Sequence, residues 1–306
     1  MKAIKNIKHT IRDIYFAYLG KYNPKKLADV RFRRAFKRPL NWDNPQDINE
    51  KINWLKFNSD TTKWSELADK YKVRQYVKDC GLEDMLVKLY GKWDKAEDIE
   101  WDKLPNSFVM KTNNGSGDVL ICLDKSKLDT KTEEAKFAKL LKVKFGQSMG
   151  EPHYDKIKPC IIAEELLDNE KQAFKSTSLI DYKIWCFDGK PAYVWVCYNR
   201  AHHKTDVAVY DLDWNFHPEY SNSIPHYVLS SEILPRPQSL DKMLEAAGRL
   251  SKGFPELRVD LYEVDGKPYF GEMTFTSSAG LNDFYSQEFL NILGDHVNLD
   301  KVKRNN

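Results

Sequence analysis

The chain has 306 residues, of which 42% are hydrophobic and 30% charged, and its formal net charge is +3. This apolar content excludes a disordered chain, and the length allows a large core divided into two or three subdomains. No stretch approaches the roughly 18 apolar residues of a membrane-spanning helix, and the N-terminus lacks a signal-peptide pattern, so we expect a cytoplasmic protein.

The N-terminal region is basic, since residues 1–38 contain 12 lysines and arginines but only two acidic residues. Apolar residues recur there at three- and four-residue steps, at Ile4, Ile7, Ile11, Ile14 and Tyr18. This spacing predicts an amphipathic helix. Two interpretations stay open: the helix packs on the protein's own core, or it lies in the plane of an anionic membrane, at the inner membrane face.

Further along the chain, apolar spacing predicts four more helices. They cover residues 66–80, 131–146, 240–252 and 284–294. Lys70 lies near the start of the first of these helices.

A short polar loop joins two predicted strands in the first half of the chain. The strands are residues 108–111 and 119–123, and the loop between them reads TNNGSGD. Its backbone N–H groups could surround phosphate oxygens, and Lys111 adds a positive charge inside a buried strand, where it needs an anionic partner. The alternative is a plain hairpin turn, and the Walker pattern and the dinucleotide fingerprint are both absent.

Three predicted strands in the middle of the chain carry charged residues. Residues 158–167 form an apolar strand that ends in two glutamates. In the next strand Asp181 and Lys183 share one face, because side chains alternate along a strand, and the partner strand ends at Arg200. The five cysteines include no CxxC pair, and we expect buried free thiols in a reducing compartment.

Residues 257–276, LRVDLYEVDGKPYFGEMTFT, predict a hairpin of two strands around an Asp-Gly turn. A two-residue loop would place Asp260 and Glu272 on opposite faces, whereas a three-residue loop with Gly266 as a left-handed bulge would place them together. We adopt the three-residue loop. One face then carries four polar residues: Arg258, Asp260, Glu272 and Thr274. Clustered carboxylates suit Mg²⁺, and the alternative is that the acids simply face solvent.

The order and spacing of these motifs resemble the ATP-grasp superfamily, and most closely its TupA-like branch, named for teichuronopeptide biosynthesis. The likeness runs from about Asp69 to Gly280, and its most specific pieces are DYKIWCFDGKP and RVDLYEVDGKPYFGEMTFT. It implies an α+β ATP-grasp fold in which two α+β subdomains clamp ATP. The implied division is a helical N-terminal extension, an ATP-grasp core, and within that core a small ATP-lid subdomain and a large metal-binding subdomain, at residues 1–65, 66–306, about 90–167 and 168–306.

The resemblance also implies roles for individual residues. Those implied for the phosphates of ATP are two lysines and a mobile flap: Lys70, Lys111, Asn114, Gly115, Ser116 and Gly117. Those implied for adenine and ribose are a hinge and one acid: Glu164, Glu165, Leu166 and Asp181. Asp260 and Glu272 match the Mg²⁺ ligands, and Thr274 stands where the superfamily commonly has Asn.

Three cations make up the implied catalytic set. Arg258 matches the residue that steadies the transferring phosphoryl group, and Lys183 and Arg200 complete the set. We place Arg200 on the acceptor side, together with His202 and His203. The region before Lys70 is too short for the superfamily's usual N-terminal nucleotide-fold domain.

The resemblance implies an ATP- and Mg²⁺-dependent ligase that joins a carboxylate to an amine through an acylphosphate, with an amide as product. Its implied setting is bacterial capsule or cell-wall polysaccharide assembly, with a carboxylate-bearing glycan or sugar and an amine as substrates and no nucleic-acid partner. Three alternatives stay open. They are a glycosyltransferase that holds a metal on a sugar nucleotide, a kinase on the same fold, and a scaffold held at the membrane by the basic N-terminus.

Overall fold

The computed structural model describes residues 2–117, 119–201 and 203–304, with side chains from Arg12 onward. The helices in these ranges are α1 (Lys2–Tyr22), α2 (Pro24–Phe36), α3 (Ile48–Asn58), α4 (Thr62–Leu67), α5 (Val73–Asp79), α6 (Thr130–Leu140), α7 (Phe145–Met149), α8 (Leu240–Ser251) and α9 (Gln287–Asp295). The strands are β1 (Leu89–Trp93), β2 (Phe108–Thr112), β3 (Val119–Cys122), β4 (Ile161–Glu164), β5 (Asp181–Phe187), β6 (Lys190–Ala201), β7 (Lys204–Tyr210), β8 (Tyr227–Leu229), β9 (Leu257–Val264) and β10 (Lys267–Thr274).

The strands form two sheets, each with its own hydrophobic core. The small sheet has the order β1-β4-β2-β3, and Phe137 of α6 is buried in the core that it forms with Phe108 and Met110. The large sheet has the order β10-β9-β5-β6-β7-β8, and among its described strand pairs only β7–β8 is parallel. Helices α3, α8 and α9 contribute buried residues to the core of the large sheet. This architecture confirms the predicted α+β class.

The N-terminal helix is confirmed as α1, but its predicted inner face is not buried where it is described. Ile14 is 65% exposed and Tyr18 is 59% exposed. The interpretation that these two side chains pack on the protein's own core is therefore wrong. The side chains of Ile4, Ile7 and Ile11 lie outside the described residues.

The single helix predicted over residues 66–80 is wrong, because the chain forms α4, a turn and then α5. Asp69 is buried in that turn, and its Oδ1 accepts hydrogen bonds from two following backbone N–H groups at 2.9 and 3.2 Å. Such side-chain bonds compete with the helical hydrogen bonds and favour a break followed by a new helix. Lys70 lies in the turn, and its backbone N–H donates to the carbonyl oxygen of Asn113 at 3.0 Å.

Of the three other predicted helices, two are confirmed and one is divided. The helices predicted at residues 240–252 and 284–294 are confirmed as α8 and α9, whereas the one predicted at 131–146 is divided into α6 and α7. The strands β7 and β8 were not predicted. All five cysteines are free, and four of them are buried, as expected. No helix in the described ranges is both long and apolar enough to cross a membrane.

The hairpin of β9 and β10 corrects the predicted loop. The loop has only two residues, Asp265 and Gly266, which both have positive φ (54° and 67°), as a type I′ turn requires. The three-residue loop is therefore wrong. The extra residue is Gly271, at a register shift inside β10, and this bulge places Glu272 directly opposite Asp260. The predicted sharing of one face is confirmed, but for a different reason.

Gly271 permits the bulge because no side chain would fit there. A Cβ at this position would lie 2.8 Å from the backbone oxygen of Asp260 and 3.0 Å from Cε2 of Tyr262. We expect Gly271→Ala to lower the free energy of unfolding by about 1–3 kcal/mol, measured by urea denaturation. Lys267→Ala, at an exposed position of the same strand, is the control. Equal unfolding midpoints for Gly271→Ala and the wild type would contradict this account of the bulge.

His153 makes the stability of the fold depend on pH. It is fully buried against Trp64, and neither ring nitrogen has a hydrogen-bond partner in the described part of the chain. Burial, with Lys56 and Lys156 nearby, lowers the pKa of His153 from 6.5 to about 3. Because the unfolded chain takes up this proton near its ordinary pKa and the folded chain does not, stability is lost as pH falls below neutrality.

We expect His153 alone to lower the free energy of unfolding by about 2 kcal/mol between pH 7 and pH 5. Urea denaturation at both pH values measures this loss. His153→Gln should show a smaller difference between the two pH values, whereas His296→Gln, at an exposed histidine, should keep the wild-type difference. An unchanged pH dependence in His153→Gln would show that this side chain is not the cause.

Candidate functional site

Charged side chains meet on one face of the large sheet, where β5, β9 and β10 lie side by side. Lys183 on β5 is the cross-strand partner of Asp260 on β9, and Asp260 is in turn opposite Glu272 on β10. Since alternate residues of a strand face the same side, Asp181 and Arg258 join them. Five of the predicted site residues therefore converge through strand register alone.

Asp260 is the centre of this cluster and is 1% exposed. The Nε of Arg258 donates to its Oδ1 at 2.8 Å, and the Nη2 of the same guanidinium donates to its Oδ2 at 2.8 Å. Lys183 donates to Oδ2 as well. A buried carboxylate is tolerated only when it is paired and hydrogen-bonded, and here two cations satisfy it.

Asp181 shares its cation with Asp260. The Nζ of Lys183 lies 2.7 Å from Oδ2 of Asp181, and the Nη2 of Arg200 donates to the same oxygen at 2.6 Å. Burial by itself raises the pKa of Asp181, but Lys183 and Arg200 outweigh it and lower this pKa to about 2. For Lys183 burial opposes the charge, yet Asp181 and Asp260 together raise its pKa. Both groups are therefore charged at neutral pH.

Lys70 connects the large sheet to the polar loop of the small sheet. Its Nζ lies 3.3 Å from Oε2 of Glu272 and donates to the backbone oxygen of Gly115 at 2.8 Å. Burial raises the pKa of Glu272, but Lys70, Lys183 and Arg258 outweigh it and lower this pKa to about 2. The Glu272 side chain is still 38% exposed, so it lies at the open side of the cluster.

In the small sheet, Lys111 is half-buried and has the anionic partner that it was expected to need. The Nζ of Lys111 on β2 lies 2.7 Å from Oε2 of Glu164 at the end of β4. Arg74 on α5 donates to the other oxygen of Glu164 at 2.8 Å. Sequence reasoning assigned Arg74 no part in the site, although an arginine four residues after Lys70, within the helix predicted over both, was an available signal.

The predicted flap follows β2 and the predicted hinge follows β4, and because these two strands are antiparallel the two segments extend from opposite ends of the small sheet. Asn114 is buried, whereas Ser116 and Gly117 are exposed, and Gly117 has the positive φ (86°) that favours glycine. The backbone N–H of Glu165 donates to the carbonyl oxygen of Lys88 at 2.9 Å, and the side chain of the following Leu166 is half-buried.

Of the two histidines predicted on the acceptor side, only His203 is among the described residues, and it lies apart from the cluster. His203 is exposed at the turn between β6 and β7, where its backbone oxygen contacts Nδ1 of His226 at 2.7 Å. None of its described contacts is with the cluster, whereas Arg200, at the end of β6, contacts Asp181 of the cluster. His202, like Asp118 of the flap loop, lies outside the described residues.

A relay of polar side chains joins Arg258 to the N-terminal part of the chain. The Nη1 of Arg258 donates to Oγ of Ser277 at 2.7 Å, and this hydroxyl donates to Oδ1 of Asn282 at 2.7 Å. The Nδ2 of Asn282 then donates to Oδ1 of Asn49 on α3 at 2.7 Å. Sequence reasoning missed these three supporting residues, because only the fold brings α3 beside the segment after β10.

Two sheets joined by this charged cluster define an ATP-grasp fold. The chain belongs to the TupA-like ATP-grasp family, whose model matches residues 50–298. This match confirms the resemblance drawn from the motifs. No curated protein sequence matches the chain.

Several solved structures are similar to the chain at low sequence identity. A D-alanine–D-alanine ligase from Bacillus anthracis complexed with ATP is 16% identical, with a TM-score of 0.43, over 72% of this chain and 58% of that one. The ATP-grasp ligase PsnB, with a minimal precursor variant, Mg and ADP, is 12% identical, with a TM-score of 0.43, over 91% and 72%. The D-alanine–D-alanine ligase from Helicobacter pylori is 11% identical, with a TM-score of 0.41, over 82% and 67%. The chain thus spans just over half of the first ligase.

Proposed function

We propose that the protein is an ATP- and Mg²⁺-dependent ligase that joins a carboxylate to an amine and acts in bacterial capsule or cell-wall polysaccharide assembly. The observation that carries the proposal is the continuous set of contacts from the flap carbonyl of Gly115 through Lys70 and Glu272 to Asp260. These contacts connect the polar loop of the small sheet, which we propose binds phosphate, with the carboxylates of Asp260 and Glu272 on the large sheet. A carboxylate-bearing glycan or sugar and an amine are the proposed substrates.

The ion pairs of Lys70 and Lys111 support a proposed position for the nucleotide. Phosphate oxygens would give Lys70 and Lys111 stronger anionic partners than Glu272 and Glu164, which hold them in the structure. The end of β4, at Glu164 to Leu166, would receive adenine through its backbone. Asp181 would accept hydrogen bonds from the ribose hydroxyls, since Arg200 and Lys183 already keep it ionised.

The donor set fits a magnesium ion that binds together with the nucleotide. In the described part of the chain, no three acidic, histidine or cysteine side chains gather into a group that could hold a metal. Mg²⁺ commonly takes one or two protein carboxylates and completes its shell with water and phosphate oxygens, which Asp260 and Glu272 would allow. Bound there, the ion would supply positive charge beside the phosphates. The role of Thr274 as a third ligand stays a prediction. In the structure its hydroxyl accepts a hydrogen bond from Arg258 at 3.3 Å.

The cations of the cluster would carry the chemistry. The acceptor carboxylate oxygen attacks the γ-phosphorus and ADP leaves, so negative charge grows on oxygens that Lys183 and Arg258 can stabilise. The amine nitrogen then attacks the acyl carbon, the bond from that carbon to the phosphate oxygen breaks, and hydrogen phosphate leaves with the proton that the amine loses, so that an amide remains. The protein itself needs no nucleophilic serine or cysteine for these steps.

The test is ADP release by the purified protein with ATP, Mg²⁺ and panels of uronic acids and amines. Release that requires both a carboxylate and an amine is the expected result. A stable phosphorylated product without an amine would identify a kinase, and thermal stabilisation by UDP-sugars but not by ATP would favour a glycosyltransferase. A protein that neither binds nor consumes ATP with Mg²⁺ would overturn the proposal.

A further inference from the structure

The helix α1 presents an apolar stripe to solvent. Ile14, Tyr18 and Tyr22 are spaced by four residues, so they lie on one side of the helix, and they are 65%, 59% and 62% exposed. Tyr15 beside them is 46% exposed. Large side chains exposed together in this way mark a surface that contacts something else.

A different side of α1 attaches it to the rest of the protein. Leu19 is buried, and Gly20 is packed so closely on α7 that a Cβ there would lie 1.9 Å from the backbone oxygen of Gln147. The ring of Phe16 lies under the guanidinium of Arg31 on α2, 4.7 Å from its centre. Because other residues of α1 make these contacts, the helix is held against the rest of the protein while its stripe stays exposed.

Positive charge lies beside the C-terminal end of the stripe. Lys21 lies over the ring of Tyr22 at 4.8 Å, and Lys25, at the start of α2, lies over the ring of Trp42 at 4.6 Å. An open cleft continues from there along α2. It is lined by three cations and one acid among its eight residues: Asn23, Lys25, Lys26, Asp29, Arg33, Pro39, Leu40 and Trp42.

This combination points to one occupant. An in-plane amphipathic helix on a membrane presents a narrow apolar and aromatic stripe flanked by lysine and arginine. A nucleic acid would need the cations but would leave the stripe exposed. The basic excess of residues 1–38 complements the negative surface of a bilayer that contains acidic lipids.

We propose that α1 and the start of α2 form a docking surface for an anionic lipid bilayer. The stripe of Ile14, Tyr18 and Tyr22 enters the headgroup region, and the cations around Lys25 contact lipid phosphates. In the sequence, Ile4, Ile7 and Ile11 extend the apolar pattern toward the N-terminus at three- and four-residue steps. The inference does not depend on the proposed ligase activity, since it concerns a separate surface.

The test is flotation of the full chain, without nucleotide, with phosphatidylcholine vesicles that contain or lack phosphatidylglycerol. We expect binding only to the anionic vesicles, weakened by added salt. The stripe variant Ile14→Ser with Tyr18→Ser should lose affinity at least about tenfold. Its matched control is Ile233→Ser, which changes an exposed isoleucine (71%) elsewhere and should bind like the wild type.

A second pair of variants tests the charge. Neutralising exposed cations in Lys21→Gln, Lys25→Gln and Lys26→Gln should weaken binding by a similar factor, whereas the same number of changes on α6 should not. The α6 control carries Lys131→Gln, Lys136→Gln and Lys139→Gln. Circular dichroism confirms that each variant keeps its helices. Equal binding to neutral vesicles, no binding to either kind, or wild-type binding by the stripe variant would overturn the proposal.

Discussion

Replacing Asp260 with Asn is expected to reduce ATP-dependent turnover by about 10³-fold. The carboxylate is 1% exposed and balances the charges of Arg258 and Lys183 at once. Asparagine keeps the shape but carries no charge, so both cations lose part of their charge balance, and magnesium would lose the buried ligand proposed for it. The amide nitrogen of the new asparagine is a hydrogen-bond donor, and it would face the donor nitrogens of Arg258 and Lys183.

Two measurements keep this prediction separate from a loss of folding. Urea denaturation reports how much stability Asp260→Asn loses, and Asp241→Asn, at an aspartate whose side chain is 82% exposed on α8, is the control. Glu272→Gln changes the half-exposed partner, whose described ion pair is with Lys70. It should stay folded and still lose the extra thermal stabilisation that Mg²⁺ adds to ATP. Wild-type turnover in Asp260→Asn would end the assignment of this cluster as the active site.

Strand periodicity predicted the parts of the site that depend only on local geometry. Alternation along a strand places Asp181 with Lys183, and Arg258 with Asp260, and the structure confirms both pairs. Two α+β subdomains were implied only by the resemblance to the ATP-grasp superfamily, and the structure has two sheets. The class of fold was therefore accessible from sequence, once the motifs were recognised together.

The facing of Glu272 was predicted for a wrong local reason. A bulge at Gly271 depends on how closely Asp260 and Tyr262 approach that glycine, and this approach exists only in the paired sheet. The sequence offered a second glycine in the hairpin, Gly266, whose positive φ serves the turn instead. The residue pattern alone does not show which of the two glycines is the bulged residue, because this depends on packing in the paired sheet.

Long-range partners were the least accessible part of the site. Arg74 and Glu164 are separated by 90 positions, and Asn49 and Asn282 by 233. Lys111 needed an acid on physical grounds, but nothing in its own strand identified Glu164. The predicted boundary near residue 65 stays a prediction, although α3 before it already contributes Ile52 and Leu55 to the core of the large sheet.

The second large effect is expected at Arg258. Its guanidinium contacts both oxygens of Asp260, the hydroxyl of Ser277 at 2.7 Å and that of Thr274 at 3.3 Å, and the residue is 7% exposed. Lysine keeps the charge but has one nitrogen instead of a planar fork, so it cannot make these contacts together. We expect Arg258→Lys to lower kcat by about 10²-fold to 10³-fold.

The same substitution should leave the KM for ATP within about threefold of the wild type, because Lys70 and Lys111 lie on other elements. Asn282→Ala tests the relay that holds the guanidinium: it should lower kcat less than Arg258→Lys does, also without a large change in KM. Arg249→Lys, at an exposed arginine of α8, is the matched control. Steady-state kinetics with ATP varied, and with the carboxylate and the amine saturating, measures both constants. If Arg258→Lys raised KM and left kcat unchanged, Arg258 would hold the nucleotide in its ground state and would not act on the transferring phosphoryl group.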